Sequence, residues 1–290
     1  MISFVVTTQN LDGRFSGRGG ILVSKLNNNG MIISVANNKG GTGKTTVSCN
    51  LAHAMAKLGY KVLLVDMDSQ VNATSLIMGS KSPSRTLYDL LNPEGTNIPV
   101  ENCIHATSYN NLYCLPNIQE TAGLEPDFIN GAPESFFTLR NKLRDYACKK
   151  FDFTFIDNPP NMGTFVIISL YASDCVIVPN ESGSSFSMEG LVKMIRLINN
   201  IRENGNKYLR FLRLLINKVD RRTAISKATI SYISDNFKPD QVFKTHIPIC
   251  TAFQKAEGVR QTILNYAPSS SGAKYYRLLA TELESVIKQI

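Results

Sequence analysis

The sequence predicts a three-layer α/β fold, with a mostly parallel, twisted sheet flanked by helices on both faces. Three observations predict it. From Met31 onward, short apolar runs alternate with segments of helical periodicity. Residues 61–66 contain an unbroken Val-Leu-Leu-Val, the pattern of a strand buried on both faces. Glycines or aspartates stand just after the apolar runs, at the carboxyl edge where open sheets of this kind bind ligands.

The elements follow in order. Residues 31–37 form the first predicted strand, and 45–58 place Val47, Leu51, Met55 and Leu58 at helical spacing. Strands are predicted next at 61–66, 112–115, 153–157, 175–179, 211–217 and 242–248. Helices are predicted at 134–149, 164–172, 188–203, 224–236 and 273–290. No repeat or linker divides residues 31–290, so one domain is expected there. Residues 1–30 contain Gly13, Gly17, Gly19 and Gly20 and the turn cluster Asn27-Asn28-Asn29-Gly30, and read as a flexible N-terminal extension.

Composition excludes several classes. The 290 residues are 43% apolar and 19% charged, far from the balance of a disordered chain. Six scattered cysteines without a C-x-x-C argue against a disulfide scaffold or a zinc ribbon. His53, His105 and His246 lie far apart and suggest no metal site. The longest apolar runs, such as 165–172, fall well short of the roughly 18 residues a membrane span needs. The start lacks the basic flank and apolar core of a signal peptide, so a cytoplasmic location with reduced cysteines is expected.

The formal charge of +8 is local. Residues 193–227 hold ten Lys or Arg and two acids, and the remaining 255 residues hold 21 of each sign. A basic zone of this kind points to a polyanion, either nucleic acid or an anionic membrane.

Lys39-Gly40-Gly41-Thr42-Gly43-Lys44-Thr45-Thr46 separates the first strand from the first helix. Backbone N–H groups and a helix N-terminus there form a phosphate cradle, in which Lys44 reaches the β/γ oxygens and Thr45 ligates Mg²⁺. The fold is therefore expected to be a P-loop NTPase. Asn38 occupies the position of the first glycine in the common G-x-x-x-x-G-K-[ST] pattern, and Lys39 is an added lysine. Asp66-Met67-Asp68 ends the second strand, with both side chains on one face at spacing i, i+2. Asp157 follows a buried strand and precedes Asn158-Pro159-Pro160, the Walker B arrangement, and would hold Mg²⁺ through a water.

Residues 39–46 satisfy K-G-G-x-G-K-[ST]-[ST] at every position. In this the chain resembles the deviant Walker A ATPases, and within them the ParA/Soj partition family. The string Asp66-Met67-Asp68-Ser69-Gln70-Val71-Asn72-Ala73-Thr74 resembles the family's D-x-D-P-Q-G-N-A-T, with Ser69 for proline and Val71 for glycine. Ile247-Pro248 and Ala256, then Tyr266-Ala267-Pro268, Ser270, Gly272-Ala273, Tyr276-Arg277 and Leu279, resemble its C-terminal segments, so the likeness covers residues 31–290. It implies ATP and Mg²⁺ as cofactors, a homodimer when ATP is bound, and Lys39 reaching across that dimer to the partner's phosphates. It also implies that Asp68 positions the attacking water, that Gly163 frees a phosphate-sensing switch, and that Asn217 and Pro248 line the nucleotide site.

Asn217-Lys218-Val219-Asp220 spells the N-K-x-D of guanine readers, but prolines follow Asp157 where a GTPase has the glycine of D-x-x-G. ATP is therefore expected. Members of this ATPase class divide by what the dimer binds. The last predicted helix carries charges of both signs (Lys274, Arg277, Glu282, Glu284, Lys288), which suits docking on the core better than a membrane anchor. The resemblance then implies non-specific DNA binding, a nucleoid-associated location, and a ParB-like activator or cargo adaptor. Arg221, Arg222, Lys227, Lys255 and Arg260 are the candidate DNA contacts, while Arg210 and Arg213 flank a buried strand and are expected to pack. The expected function is segregation of plasmid or chromosome DNA. Alternatives are positioning of a protein cargo, or transcriptional regulation, which the short glycine-rich start disfavours because it cannot hold a helix-turn-helix domain.

Overall fold

The computed structural model describes residues 30–95, 98–183 and 187–290. The extension expected at 1–29 lies outside the described residues. Gly30 belongs to the fold: its N–H donates to the Cys148 carbonyl at 2.7 Å, and a Cβ there would overlap the Phe151 carbonyl.

The described strands form one sheet. Its five central and right-hand strands are β1 (Met31–Val35), β2 (Val62–Asp66), β5 (Phe153–Asp157), β6 (Cys175–Glu181) and β7 (Arg210–Asn217). Two more, β3 (His105–Ala106) and β4 (Leu112–Leu115), complete the order β3-β4-β2-β5-β1-β6-β7. Every pairing is parallel except β3 with β4. Alternation along each strand feeds two helical layers. Ile33, Leu64 and Phe155 pack with α1 (Lys44–Lys57) and α11 (Ser271–Lys288). Ile32, Leu63, Val65 and Ile156 face the other way, against α5 (Thr138–Lys150) and α6 (Thr164–Ala172). On that same side, α7 (Ser187–Asn204) covers β6 and β7 with Leu191, Met194, Ile198 and Ile201. The fold class read from the sequence is the one observed.

Several expectations about elements are corrected. Residues 242–248 do not form a strand. They meet β7 and the turn after it through isolated bridges, Leu214 to Val242 and Val219 to Pro248, and through the Ile247 N–H, which donates to the Ile216 carbonyl at 3.0 Å. Between those bridges the N–H groups of Lys244 and Thr245 donate to the Glu282 carboxylate of α11, at 2.7 and 2.9 Å, instead of to β7. The helix predicted from 134 begins at Thr138, because the turn after Pro133 is 3₁₀ over Glu134–Phe137. Besides 3₁₀ turns, short α-helices and a strand went unread: α2 (Asn72–Met78), α3 (Leu87–Leu91), β3, α4 (Glu125–Asn130), α9 (Ala252–Gly258) and α10 (Ile263–Tyr266). Each is too short to show a period of its own. The remaining long helix, α8 (Ala224–Asn236), lies where predicted, capped by the Thr223 hydroxyl.

One face of α1 is polar and fully used. Thr46, Asn50 and His53, at helical spacing, bond to Glu257, the Ile263 N–H and the Thr262 hydroxyl. His53 also lies against the Tyr109 ring, with centroids 4.3 Å apart. Burial, and next the charge of Lys57, pull its pKa down to about 4. Below its ordinary value the unfolded chain takes up a proton that the fold refuses, so stability present above pH 6.5 is lost as pH falls toward 4. The shift corresponds to roughly 3 kcal/mol. In urea unfolding at pH 7 and pH 4, H53Q is expected to lose less stability than the parent by about that amount; equal losses would contradict the assignment.

Candidate functional site

The loop between β1 and α1 is held by its neighbours before it holds anything. Asn37 donates to the Pro179 carbonyl of β6 at 2.7 Å and accepts from the Lys39 N–H at 3.1 Å, which fixes where the loop leaves the sheet. Gly43 has φ +85, and a Cβ there would meet the Asn217 amide nitrogen at 2.4 Å, so glycine is required twice over. That closeness serves a bond: Asn217 Nδ2 donates to the Thr42 carbonyl at 2.7 Å, tying the loop to the end of β7. Lys218, next along, donates to the Gly41 carbonyl at 2.5 Å.

Lys44 is buried, and its ammonium donates to the Lys39 carbonyl at 3.0 Å. Burial lowers its pKa, while Asp157 and then Asp68 oppose that shift. Lys39 is half-buried, 4.0 Å from Glu181, which stands equally far from Lys218.

The carboxylates divide their work. Asp66 and Asp157 are in register on adjacent strands β2 and β5, both fully buried. Asp66 accepts from the Asp68 N–H (3.1 Å), the Thr74 N–H (2.8 Å) and the Thr74 hydroxyl (2.7 Å). It therefore builds the turn and receives the first turn of α2. Asp68 is relieved of that structural task. It accepts from the Gln70 N–H at 3.0 Å and lines the cleft. Asp157 Oδ1 accepts from Ser48 at 2.8 Å, and Oδ2 is buried with no hydrogen-bond partner. Burial, then the charge of Asp66, push the Asp157 carboxyl up, against the Thr45 and Ser48 hydroxyls. An orphaned carboxylate oxygen beside the Thr45 hydroxyl fits a small divalent cation. Among the described residues no three His, Cys, Asp or Glu form a cage, so most of such a cation's shell would be water and phosphate oxygen.

These groups border a cleft of about 880 Å³ at the carboxyl edge of the sheet. The structure brings Gly40, Gly41, Gly43, Lys44, Thr45 and Thr46 together there with Asp68, Asn217 and Pro248. Thr42 is buried behind the loop, and Asp157 lies beneath it. The N-K-x-D tetrapeptide is not poised to read guanine. Asp220 is bound by the Arg222 guanidinium at 2.8 and 2.9 Å, and Asn217 by the loop.

Of the candidate DNA contacts, Arg221 and Arg222 precede α8, Lys227 lies on it, Lys255 lies on α9, and Arg260 sits just past α9 on the cleft's rim. All five are exposed. Arg213 packs as expected, over the Phe243 ring and 3.5 Å from Glu282. Sequence reasoning missed Ser48, Glu181 and Glu257, and saw Lys218 only as half of a guanine motif. No local pattern marks the first three, since the loop and strand groups they meet, Asp157, Lys39 and Thr46, stand 109 residues or more away.

Val71 adopts φ +61, a left-handed conformation that costs a β-branched residue roughly 1–2 kcal/mol. It is the position where the partition family has glycine. V71G is expected to raise the unfolding free energy by about 0.5–1 kcal/mol, the relieved strain less the added chain entropy of glycine. A destabilised V71G in chemical denaturation would show that the side chain's contacts outweigh the strain.

Residues 30–211 match the family model described as an AAA domain. The chain is 34% identical over 257 residues to the chromosome-partitioning ATPase Soj of Thermus thermophilus, across 89% of this chain and 96% of that one. It is 34% identical over 256 residues to the sporulation initiation inhibitor protein Soj of Bacillus subtilis, across 88% and 98%. Among solved structures, cobyrinic acid a,c-diamide synthase of Mycobacterium smegmatis, with bound ATP analogue and magnesium, has a TM-score of 0.74 at 25% identity. That match covers 88% of this chain and 94% of the other.

Proposed function

The chain belongs to the ParA/Soj-type partition ATPases, and from that premise we propose that it hydrolyses ATP with Mg²⁺, dimerises when ATP is bound, and moves DNA. The observation that carries this reading is one cleft in which Lys44 stands on a glycine-rich loop opposite Asp68, with Thr45 in its lining and Asp157 buried beneath it.

In the proposed cycle, the loop's N–H groups and Lys44 bind the β- and γ-phosphates of ATP. Thr45 and Asp157 would hold Mg²⁺, which when bound neutralises charge on the phosphate oxygens. Asp68 orients the attacking water, its carboxylate fixed by the Gln70 N–H. Lys39 leaves Glu181 and extends to the phosphates of a second copy, closing the dimer. Lys218 and Asn217 keep the loop's carbonyls turned away from the anion.

We assign residues 31–290 to one ATPase domain, acting in the cytoplasm on nucleoid DNA with a ParB-like activator or adaptor. The apolar side of α11 supports DNA over a bilayer. Tyr276, Leu279, Leu283 and Ile287 are buried in the core, and among the described residues no helix is long and apolar enough to cross a membrane. Arg221, Lys227, Lys255 and Arg260 are the phosphate contacts in this reading. Arg222 contributes least, because Asp220 already offsets its charge.

Lys39→Ala is expected to bind ATP like the parent and to lose the ATP-dependent dimer in light scattering. An unchanged dimer would refute the role of Lys39 across the interface. In the presence of ATP, log affinity for random-sequence duplex DNA should fall linearly with log salt, by about 0.9 per phosphate contact. The triple variant Arg221→Ala/Lys255→Ala/Arg260→Ala should flatten that slope by two to three contacts; an unaltered slope would move the DNA surface elsewhere.

A further inference from the structure

We infer that Glu257 sets how strongly this chain holds phosphate charge, acting as a displaceable carboxylate clipped to the phosphate loop. The inference rests on the nucleotide reading of the cleft. Glu257 lies on α9, and its Oε1 accepts from the Thr46 hydroxyl at 2.7 Å. Both residues line the cleft.

Three cations at the loop, Lys39, Lys44 and Lys218, and the N-terminus of a 14-residue helix suit an anion, and Glu181 beside them stands between two of those cations. Glu257 does not suit one. It has no cation paired with it among the described residues, and it is exposed at the cleft's edge. A phosphate arriving at the first turn of α1 competes for the Thr46 hydroxyl and repels the carboxylate at once. That repulsion grows with the charge of the nucleotide and is moderated by solvent at this exposed position.

The displaced group is well connected. The Glu257 carbonyl accepts the Arg260 N–H at 3.0 Å, and the Ala256 carbonyl accepts the Gln261 N–H at 2.9 Å. Arg260 itself is held at φ +53, an uncommon conformation for its residue type. Release of the Glu257 side chain therefore acts on the turn that presents Arg260, and Lys255 stands two residues before Glu257 on the same short helix. Through this clip, phosphate in the loop is felt at the basic rim of the cleft.

The test compares the parent with E257Q, which keeps the size and the Thr46 bond but removes the charge. Dissociation constants are measured for ATP, ADP, AMP and dATP by titration calorimetry, with thermal unfolding to confirm the fold. E257Q is expected to tighten ATP by about three- to tenfold, ADP by less, and AMP by less than twofold. Equal weakening of every ribonucleotide, together with loss of discrimination against dATP, would overturn the inference and make Glu257 a ribose ligand. Changes below twofold throughout would also overturn it. If the parent binds no nucleotide, the proposed function falls as well. If the parent binds and the charge-ranked gain is missing, only the role of Glu257 falls.

Discussion

Two buried carboxylates stand side by side at the floor of the cleft, and most of the surrounding structure follows from having to tolerate them. Asp66 and Asp157 are opposite each other on adjacent strands, removed from solvent. Like charges in such a place are costly unless each is hydrogen-bonded or faces a cation. Asp66 is satisfied by three donors from its own turn and from α2. Asp157 is only half satisfied, by Ser48, and Lys44 is the nearest buried positive charge. Lys44 in turn is depressed by burial and supported by Asp157 and then Asp68. Each of these groups thus requires the others, and the pair holds a site for added positive charge open at Asp157 Oδ2.

That cluster fixes the loop, and α1 carries its position outward. The first turn of α1 bears Thr46, the second Asn50, and His53 follows, all on one face and all bonded to residues 257–263. A helix face that is polar yet covered is unusual for a core helix, whose inner stripe is normally apolar. Here the apolar side of α1, with Val47, Leu51 and Met55, meets the sheet and α11, while the polar side grips the segment that carries Lys255 and Arg260. The phosphate loop and the basic rim are therefore joined by short bonds along one rigid helix.

What could be read in advance follows from how local the chemistry is. Residues 39–46 were legible because a phosphate cradle needs glycine, lysine and threonine within eight consecutive positions. Asp66 and Asp68 were legible as a pair, but not their division of labour. Thr74, eight residues on, decides which of the two is structural. Ser48 was invisible because its hydroxyl matters only once β5 lies beneath α1. The segment 242–248 reads as a strand by alternation, and Phe243 and Ile247 do donate to β7, but Glu282 takes the Lys244 and Thr245 N–H groups between them and interrupts the ladder. Glu282 reaches it from α11, 37 and 38 residues away, so no window of sequence contains both.

The basic stretch shows the same lesson in charge. Its ten cations look uniform in composition, yet the fold gives them different tasks. Arg213 is buried against Phe243 and Glu282, Lys218 turns a loop carbonyl, and Arg222 neutralises Asp220. Arg221 and Lys227 are left exposed beside α8. Lys255 and Arg260, outside the stretch altogether, stand nearer the cleft. Net charge therefore marks where cations are plentiful in the sequence, not which of them the fold leaves exposed. Cations tied by structure hold the loop and the edge of β7 in place, and of the exposed Arg221, Lys227, Lys255 and Arg260 only the last two lie in or beside the segment that α1 grips. The number of positive charges matters less than the number the fold has left uncommitted, since a cation already paired with a carboxylate has little charge left to offer a polyanion.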